Sequence, residues 1–123
     1  MSALCRSIRV LIVEDEPATA LLLEGMLAEL GFDEVDIAYD TGAARDAVGR
    51  ASHDLAILDI GMGREPILRL AERLRARNVP VVFSSLEPMG EMAPGWSVQQ
   101  HVPKPLDKRM LHAALCHLGF RNN

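Results

Sequence analysis

Short apolar runs rich in Val, Ile and Leu alternate along the chain with longer segments in which apolar residues recur at helical spacing, and the alternation is repeated five times. Strands that are apolar almost throughout are buried on both faces, which is typical of a parallel sheet covered by helices. The pattern therefore predicts an α/β fold with a parallel sheet. The apolar runs are residues 8–13, 35–38, 55–58, 81–84 and, more weakly, 98–102.

Four of the intervening segments place apolar residues at positions i, i+3, i+4 and i+7, which predicts four amphipathic helices. Their limits are indicated by Pro17 and Pro66 in first turns, by Gly31 and Asn78 at C-termini and by Asp107 as an N-terminal cap. The helical positions are Leu23, Met26, Leu27 and Leu30; Ala44, Ala47, Val48 and Ala51; Ile67, Leu70, Ala71 and Leu74; and Leu111, Ala114, Leu115 and Leu118.

Residues 87–100, EPMGEMAPGWSVQQ, break this regularity. They contain two prolines and two glycines where the repeat would place a further helix, a composition that favours a short or poorly ordered helix or a loop. Trp96 is interpreted either as a packed anchor for this segment or as a contact for a partner, and both interpretations remain open. The chain has no linker and no internal sequence repeat, so residues 1–123 are predicted to form a single domain.

Size and charge exclude several classes of protein. The 123 residues, 49% of them hydrophobic, are enough for one core. A net charge of −4 argues against a general nucleic-acid or anionic-membrane binder, which needs basic patches. No stretch approaches the roughly 18 apolar residues of a membrane span, and the N-terminus has no signal-peptide core, so we expect a soluble, cytoplasmic protein. A cluster of arginines near the third helix is interpreted as a solvated basic face rather than a nucleic-acid patch: Arg64, Arg69, Arg73, Arg75 and Arg77.

Polar residues follow the apolar runs, where parallel α/β proteins gather their functional groups. If the first and third strands are neighbours, three carboxylates converge in a small volume. Two such charges about 4 Å apart repel by roughly 4 kcal/mol at an effective dielectric of 20. A hard divalent cation with oxygen ligands, Mg²⁺ above all, would offset that repulsion. The three carboxylates are those of Glu14, Asp15 and Asp59. The polar residues that follow the runs are Glu14, Asp15 and Glu16 after the first, Asp59 after the third, Ser84 and Ser85 at the fourth, and Lys104 after the fifth.

This set of groups is suited to phosphoryl transfer. The metal and Lys104 would neutralise charge on the phosphoryl oxygens, Ser85 would donate a hydrogen bond to one of them, and Asp59 would attack the phosphorus. Ser84 is the alternative source of the hydroxyl.

Four motifs, VLIVEDEP (10–17), LAILDI (55–60), VPVVFSS (79–85) and HVPKPLD (101–107), together resemble the receiver domain of two-component response regulators. The resemblance spans nearly the whole chain. It implies a flavodoxin-like doubly wound fold, with a five-stranded parallel sheet in the order 2-1-3-4-5 and five flanking helices. It also implies a stand-alone, single-domain receiver.

The resemblance assigns a metal site. By position, Glu14 and Asp15 are similar to the acidic pair that holds Mg²⁺, with Asp15 the more direct ligand. Asp59 resembles the phosphoacceptor, which also contributes to the metal site, and Gly61 the residue that lends a backbone carbonyl to the metal.

The remaining site residues follow in the same way. The spacing from Pro80 in the family favours Ser85 over Ser84 as the switch hydroxyl. Lys104 resembles the phosphate-binding lysine, and its peptide bond to Pro105 is cis in the family.

Several positions depart from the family pattern. Leu86 stands where Ala or Gly is usual and is expected to crowd access to the phosphoryl group. Gly63 replaces a common proline and should make the loop after Asp59 more mobile. His101 occupies the place of an aromatic switch residue, usually Tyr or Phe. With the irregular segment 87–100, these differences put ordinary output coupling in doubt.

The function implied is that of a signalling phosphoacceptor rather than an enzyme, one that catalyses its own phosphorylation and dephosphorylation. A histidine kinase or histidine phosphotransfer protein would donate the phosphoryl group. We expect no effector domain after Phe120, and therefore output through a protein contact or as a phosphate sink, from a monomer or weak homodimer. Two alternatives are kept: a flavodoxin-like FMN-binding protein, whose phosphate the residues 14–16 would repel, and a receiver-like scaffold that is not phosphorylated.

Overall fold

The strands of the computed structural model, which describes residues 8–86 and 95–120, form one parallel sheet. The order along the sheet is β2-β1-β3-β4-β5, and every neighbouring pair is parallel. This confirms the predicted doubly wound five-stranded sheet. The strands are β1 (Arg9–Val13), β2 (Glu34–Ala38), β3 (Leu55–Asp59), β4 (Val81–Ser85) and β5 (His101–Pro103).

Helices cover both faces of the sheet. They are α1 (Pro17–Glu29), α2 (Thr41–Arg50), α3 (Arg64–Ala76) and α4 (Lys108–His117). The apolar sides of α1 and α4 pack on one face, and those of α2 and α3 pack on the other. The described part of the chain thus holds the four predicted helices. The segment 87–100, where the repeat would place a further helix, is described only from residue 95, and that part contains the 3₁₀ turn Val98–Gln100. None of the described helices is both long enough and apolar enough to cross a membrane.

The helix ends follow the predicted signals. Pro17 is the first residue of α1, and Gly31 and Asn78 have positive φ angles of 100° and 62° just beyond α1 and α3. The Asp107 carboxylate accepts hydrogen bonds from two backbone N–H groups in the first turn of α4. Such caps satisfy backbone groups that a helix end leaves without a partner.

The fifth strand begins later than the sequence predicted. Residues 98–102 were expected to be extended, but Val98–Gln100 form a 3₁₀ turn and the strand starts at His101. The turn is stabilised by a capping box. The Ser97 side chain accepts a hydrogen bond from the backbone of the turn, and the Gln100 side chain accepts one from the Ser97 N–H. The Gln100 amide also donates to the Val81 carbonyl at 2.9 Å. These side-chain bonds compete successfully with extension of the strand.

Trp96 packs against the sheet, which favours the anchor interpretation over a partner contact. Its ring lies edge-on to Phe83 with centroids 5.2 Å apart, and the Arg75 guanidinium lies 4.2 Å above the indole. Gly95, with φ of 91°, lets the backbone pass close to Arg75, because a Cβ there would overlap the guanidinium. The indole therefore ties residues 95–97 to α3 and β4.

The arginines of α3 are largely engaged with their own surroundings. Arg69 pairs with Glu65 at 2.8 Å and Arg75 with Glu72 at 2.7 Å. Arg77 donates to the backbone carbonyl of Val48. The two ion pairs of Arg69 and Arg75 lie on a solvated face and contribute little to stability.

Asp36 on edge strand β2 connects this strand to β1 and to the segment before β3. Its carboxylate accepts hydrogen bonds from His53 Nε2 and from the Arg9 guanidinium, each at 2.8 Å. The hydrogen bond from His53, with the charge and hydrogen bond of Arg9, lowers the pKa of Asp36 despite some burial. The ionised carboxylate therefore stabilises the fold.

We expect Asp36→Asn to lower the free energy of unfolding by about 0.5–1 kcal/mol at neutral pH, a small value because the carboxylate is half exposed. A lowered folded pKa contributes stability above the unfolded pKa, and this is lost as pH falls through the folded pKa. The difference from wild type should therefore shrink in acid. Urea unfolding from neutral to acidic pH, with Asp33→Asn as an exposed control, measures this. A difference that does not change with pH would contradict the assignment.

Candidate functional site at the carboxyl edge of the sheet

The carboxyl ends of the strands open into a cavity of about 770 Å³. All six residues predicted to form the site lie on it, because parallel strands end at the same edge of the sheet. The rest of its wall comes from the first turn of α1, the start of α3 and the segment after β5. The predicted residues are Glu14, Asp15, Asp59, Gly61, Ser85 and Lys104, and the others are Glu16, Thr19, Leu22, Ile60, Arg64, Leu86, Pro105 and Leu106.

Asp59 is the last residue of β3 and its side chain is fixed at both oxygens. The residue is 5% exposed. Its Oδ1 accepts the Gly61 N–H at 2.8 Å, and its Oδ2 accepts from Lys104 Nζ at 3.1 Å. A Cβ on Gly61 would lie 3.0 Å from Oδ1, so glycine suits this close approach. Gly61 thus holds the aspartate through its N–H, and its carbonyl as a metal ligand stays a prediction.

Lys104 connects residues that are far apart in the sequence. Its ammonium donates to Glu14 Oε1 at 2.8 Å as well as to Asp59, and its own backbone N–H donates to the Ser85 carbonyl at 2.8 Å. Burial lowers the pKa of Lys104, but the hydrogen bonds and charges of Glu14 and Asp59 outweigh it, so that the pKa is raised. The peptide bond to Pro105 is cis, as the resemblance implied.

Glu14 and Asp15 occupy different environments. Glu14 is 1% exposed, and its Oε2 accepts the Glu16 N–H at 3.0 Å. Burial raises the pKa of Glu14, and the charge of Asp59 adds to this, although Lys104 and the Glu16 N–H act in the opposite direction. Asp15 is exposed at the mouth. A buried carboxylate with a raised pKa beside a second one is the electrostatic situation that a cation relieves.

The three carboxylates are close enough to bind one ion. Oxygen atoms of Glu14, Asp15 and Asp59 all lie within 4.8 Å of one another. Carboxylate oxygens are the ligands that Mg²⁺ prefers. The same negative charge disfavours an FMN phosphate, which binds where backbone N–H groups face it.

The two serines at the end of β4 lie on opposite faces of the sheet. Ser84 pairs in register with Asp59, whereas Ser85 lines the cavity. Both are buried. Ser85 Oγ lies 2.9 Å from His101 Nε2. The structure therefore brings Ser85 to the predicted site, and its role there stays a prediction.

Sequence reasoning missed Arg64 and the apolar part of the wall. Arg64 was grouped with the basic face of α3, but it is the first residue of that helix and lines the cavity. Its position five residues after Asp59, directly behind Gly63, was the available signal. Leu86 also lies on the wall and is 76% exposed, which places it at the rim. The crowding expected from this side chain stays a prediction.

Known proteins share these features. The family model described as the response regulator receiver domain matches residues 10–116. Protein-glutamate methylesterase/protein-glutamine glutaminase 1 of Anaeromyxobacter dehalogenans (strain 2CP-C) is 36% identical over 94 residues, which are 76% of this chain and 26% of that protein. Regulator of RpoS of Escherichia coli (strain K12) is 39% identical over 88 residues, 69% of this chain and 26% of that protein.

Solved structures agree with the fold. The solution structure of the PhyR response regulator REC domain of Erythrobacter litoralis is 26% identical, with a TM-score of 0.71 over 95% of this chain and 94% of that one. The chain spans 26–44% of the length of the curated relatives it matches. With the matched family model and the cavity at the strand ends, the chain belongs to the response regulator receiver domains, the phosphoacceptor domains of two-component systems.

Proposed function

We propose that this receiver domain takes a phosphoryl group onto Asp59 from a phosphohistidine donor, in a reaction that depends on Mg²⁺. The observation that carries the proposal is the position of the Asp59 carboxylate, held between the Gly61 N–H and the Lys104 ammonium inside a cavity it shares with Glu14 and Asp15. A carboxylate fixed in this way is a positioned nucleophile.

The donor set suits Mg²⁺, since Glu14, Asp15 and Asp59 offer hard oxygen ligands within 4.8 Å of one another. These residues, with the Gly61 carbonyl, would hold the ion. When bound, it supplies the positive charge that offsets the carboxylates and the phosphoryl oxygens.

Asp59 and Lys104 would divide the remaining work. A carboxylate oxygen of Asp59 forms the new P–O bond while the bond between phosphorus and the donor's imidazole nitrogen breaks, and the imidazole leaves and takes up a proton. An ammonium has three N–H donors, and the bonds to Glu14 and Asp59 use two of them. The third would donate to a phosphoryl oxygen, and the hydroxyl of Ser85, which lines the same cavity, would donate to another.

The open mouth of the cavity is suited to a donor carried on another protein. Leu22 on α1 is 51% exposed, and Leu86, which lines the same cavity, is 76% exposed. These two side chains provide apolar contact area around the acidic site. We propose a cytoplasmic histidine kinase or histidine phosphotransfer protein as the donor. Output would follow by a protein contact or by withdrawal of phosphate from a shared relay.

Incubation with acetyl phosphate or phosphoramidate tests the proposal. Intact mass should show one added phosphoryl group with Mg²⁺ and none with EDTA. Hydroxylamine should release the group, because it cleaves an acyl phosphate but not a phosphoserine. Failure of wild type to gain mass with either donor, or a modification that hydroxylamine leaves in place, would refute the proposal.

Leu86→Ala should speed uptake from small donors by about twofold to threefold, corresponding to roughly 0.5 kcal/mol of barrier. The shorter side chain widens the rim of the cavity next to Ser85. Stability should hardly change, since Leu86 is exposed. Val98→Ala, an exposed apolar change at a residue outside the described lining of the cavity, is the matched control for initial-rate mass spectrometry. Equal rates for Leu86→Ala and wild type would show that Leu86 does not limit access.

A further inference from the structure

A second cavity lies between α2 and α3, two helices that pack on the same face of the sheet. Its volume is about 380 Å³, within the range of roughly 300–1,000 Å³ that small-molecule sites have. None of its described lining residues belongs to the cavity at Asp59, so the two cavities are separate. The lining residues are Thr41, Arg45, Pro66, Arg69, Leu70 and Arg73.

Three guanidinium groups line this α2–α3 cavity, and no acidic residue is among the described residues on its wall. Arg45 belongs to α2, whereas Arg69 and Arg73 are one turn apart on α3, so both helices contribute positive charge. The chain as a whole has a net charge of −4, and the wall of this cavity has the opposite sign. A concave site lined by one sign of charge concentrates ions of the other sign, and here those ions are anions.

The hydrogen-bond donors of these arginines are mostly unused within the part of the chain that the structure describes. Arg45 and Arg73 form no side-chain hydrogen bond or ion pair with any described residue. Arg69 donates to Glu65 Oε1, and a guanidinium has five N–H donors. The Asp40 carboxylate, which precedes α2, accepts the Ala43 N–H as a helix cap. An anion in the cavity would therefore find donors on three side chains.

A phosphate monoester matches this set of donors. It carries about two negative charges at neutral pH and has three acceptor oxygens. A guanidinium binds phosphate through two parallel N–H···O bonds, so three arginines suffice for the three oxygens. The hydroxyl of Thr41, the first residue of α2, is a further donor on the wall.

The cavity also has an apolar part. Leu70 is 3% exposed and Pro66 is half-buried, and both lie on the wall. Their surfaces offer contact to carbon atoms, and the volume of the cavity exceeds what a single phosphate group fills. The site therefore suits a phosphate that is attached to an organic group.

An extended acidic segment of another protein is a poorer match. Exposed carboxylates adjoin the arginines on both helices, namely those of Asp46 on α2 and of Glu65 and Glu72 on α3. A segment laid across the helices would meet these charges and be repelled by them. A small ligand inside the cavity is lined by none of them. The charges thus favour a compact anion.

We propose that the α2–α3 cavity binds a small organic phosphate, held by the guanidinium groups of Arg45, Arg69 and Arg73 and by the Thr41 hydroxyl. This would give the domain a second ligand besides the phosphoryl group proposed for Asp59. Binding in the α2–α3 cavity requires neither Mg²⁺ nor phosphorylation, so the two sites can be tested separately.

NMR titration of the nitrogen-15-labelled protein in EDTA tests the proposal, with phenyl phosphate and AMP as probes. EDTA removes the metal through which a phosphate would bind beside Asp59. We expect saturable shifts of the backbone amide signals of Thr41 and the three arginines. At least one probe should bind severalfold more tightly than inorganic phosphate, because Pro66 and Leu70 contact its organic group. Phenol and adenosine, which lack the phosphate, should shift none of these signals.

Substitutions identify the groups that bind the phosphate. Arg45→Gln and Arg73→Gln should each weaken binding by roughly tenfold, because hydrogen bonds to a charged group are lost. Arg50→Gln makes the same change of charge at the exposed end of α2, outside the described lining of the cavity. It should leave the affinity within about twofold of wild type, because salt screens distant charges. All three arginines are exposed, so the variants should fold, and the dispersion of their amide spectra checks this.

Several results would overturn the proposal. They are the absence of saturable shifts with both probes at millimolar concentration, inorganic phosphate binding as tightly as both probes, and shifts caused by phenol or adenosine. Equal weakening by Arg50→Gln would show that net charge alone attracts the anion. A glutamate-rich or phosphoserine peptide that bound more tightly than both probes would assign the cavity to a protein partner. None of these results bears on phosphoryl uptake at Asp59, so the proposed function is decided independently.

Discussion

In Asp59→Asn we expect phosphoryl uptake to fall below detection under conditions in which wild type gains one group. The amide is a far poorer nucleophile than the carboxylate and cannot form an acyl phosphate. The substitution also removes one of the three carboxylates whose oxygen atoms lie within 4.8 Å of one another, which weakens the predicted metal site. Intact mass after incubation with a small phosphodonor and Mg²⁺ measures the effect.

Asp46→Asn provides the control for this loss. Asp46 is exposed on α2, away from the cavity, and its replacement should leave uptake at the wild-type rate. If Asp59→Asn still gained a hydroxylamine-labile group at the wild-type rate, another carboxylate would be the acceptor and the assignment of Asp59 would be wrong.

Lys104→Met should lower the free energy of unfolding by roughly 2–4 kcal/mol in EDTA, because removing one partner of a buried charge pair leaves the others uncompensated. The ammonium bonds to both Glu14 and Asp59, and Met retains most of its volume without its charge. Burial already raises the pKa of Glu14. A carboxylate with a raised folded pKa destabilises the fold least at low pH, and the destabilisation grows as pH rises through the folded pKa. The loss of stability in the variant should therefore shrink in acid.

Mg²⁺ should reverse part of this loss. Binding to the folded state alone stabilises a protein by about 1.4 kcal/mol at ten times the dissociation constant. The ion no longer competes with Lys104 in the variant, so its gain at a given Mg²⁺ concentration should exceed that of wild type. Urea unfolding with and without Mg²⁺ gives both numbers.

Asp15→Asn is the matched change of opposite sign. The substitution removes one negative charge from the same group of carboxylates, at the mouth of the cavity. The variant should therefore be slightly more stable than wild type in EDTA and should gain less stability from Mg²⁺. A Lys104→Met protein as stable as wild type in EDTA, or one indifferent to Mg²⁺, would mean that these charges do not share a site.

Much of the fold could be predicted because the relevant signals are local. Apolar runs and helical periodicity located four strands and four helices, and Pro17, Gly31 and Asp107 act at the ends where they were expected. The convergence of Asp59 with Glu14 followed from topology, since parallel strands share one edge. That step needed the first and third strands to be neighbours, which the sheet order confirms.

The start of β5 could not be predicted from apolar content. Val98 is β-branched, which favours an extended strand, but its side chain is exposed. Ser97 and Gln100 have the spacing of a capping box, a signal that was present in the sequence and indicates a turn there. The contact between Ser85 and His101 is a different case. It depends on the register of β4 against β5, two strands that are separated in the sequence, so that neither segment predicts the contact by itself.

The packing of Trp96 gives the molecule an optical reporter of its own. It is the only tryptophan in the sequence, so all indole emission comes from one place. The indole lies against the ring of Phe83, which is two residues before Ser85 on the same strand, and the Arg75 guanidinium lies over it. Because indole emission responds to nearby charge and to solvent, a rearrangement at the end of β4 can be followed by fluorescence in the unlabelled protein.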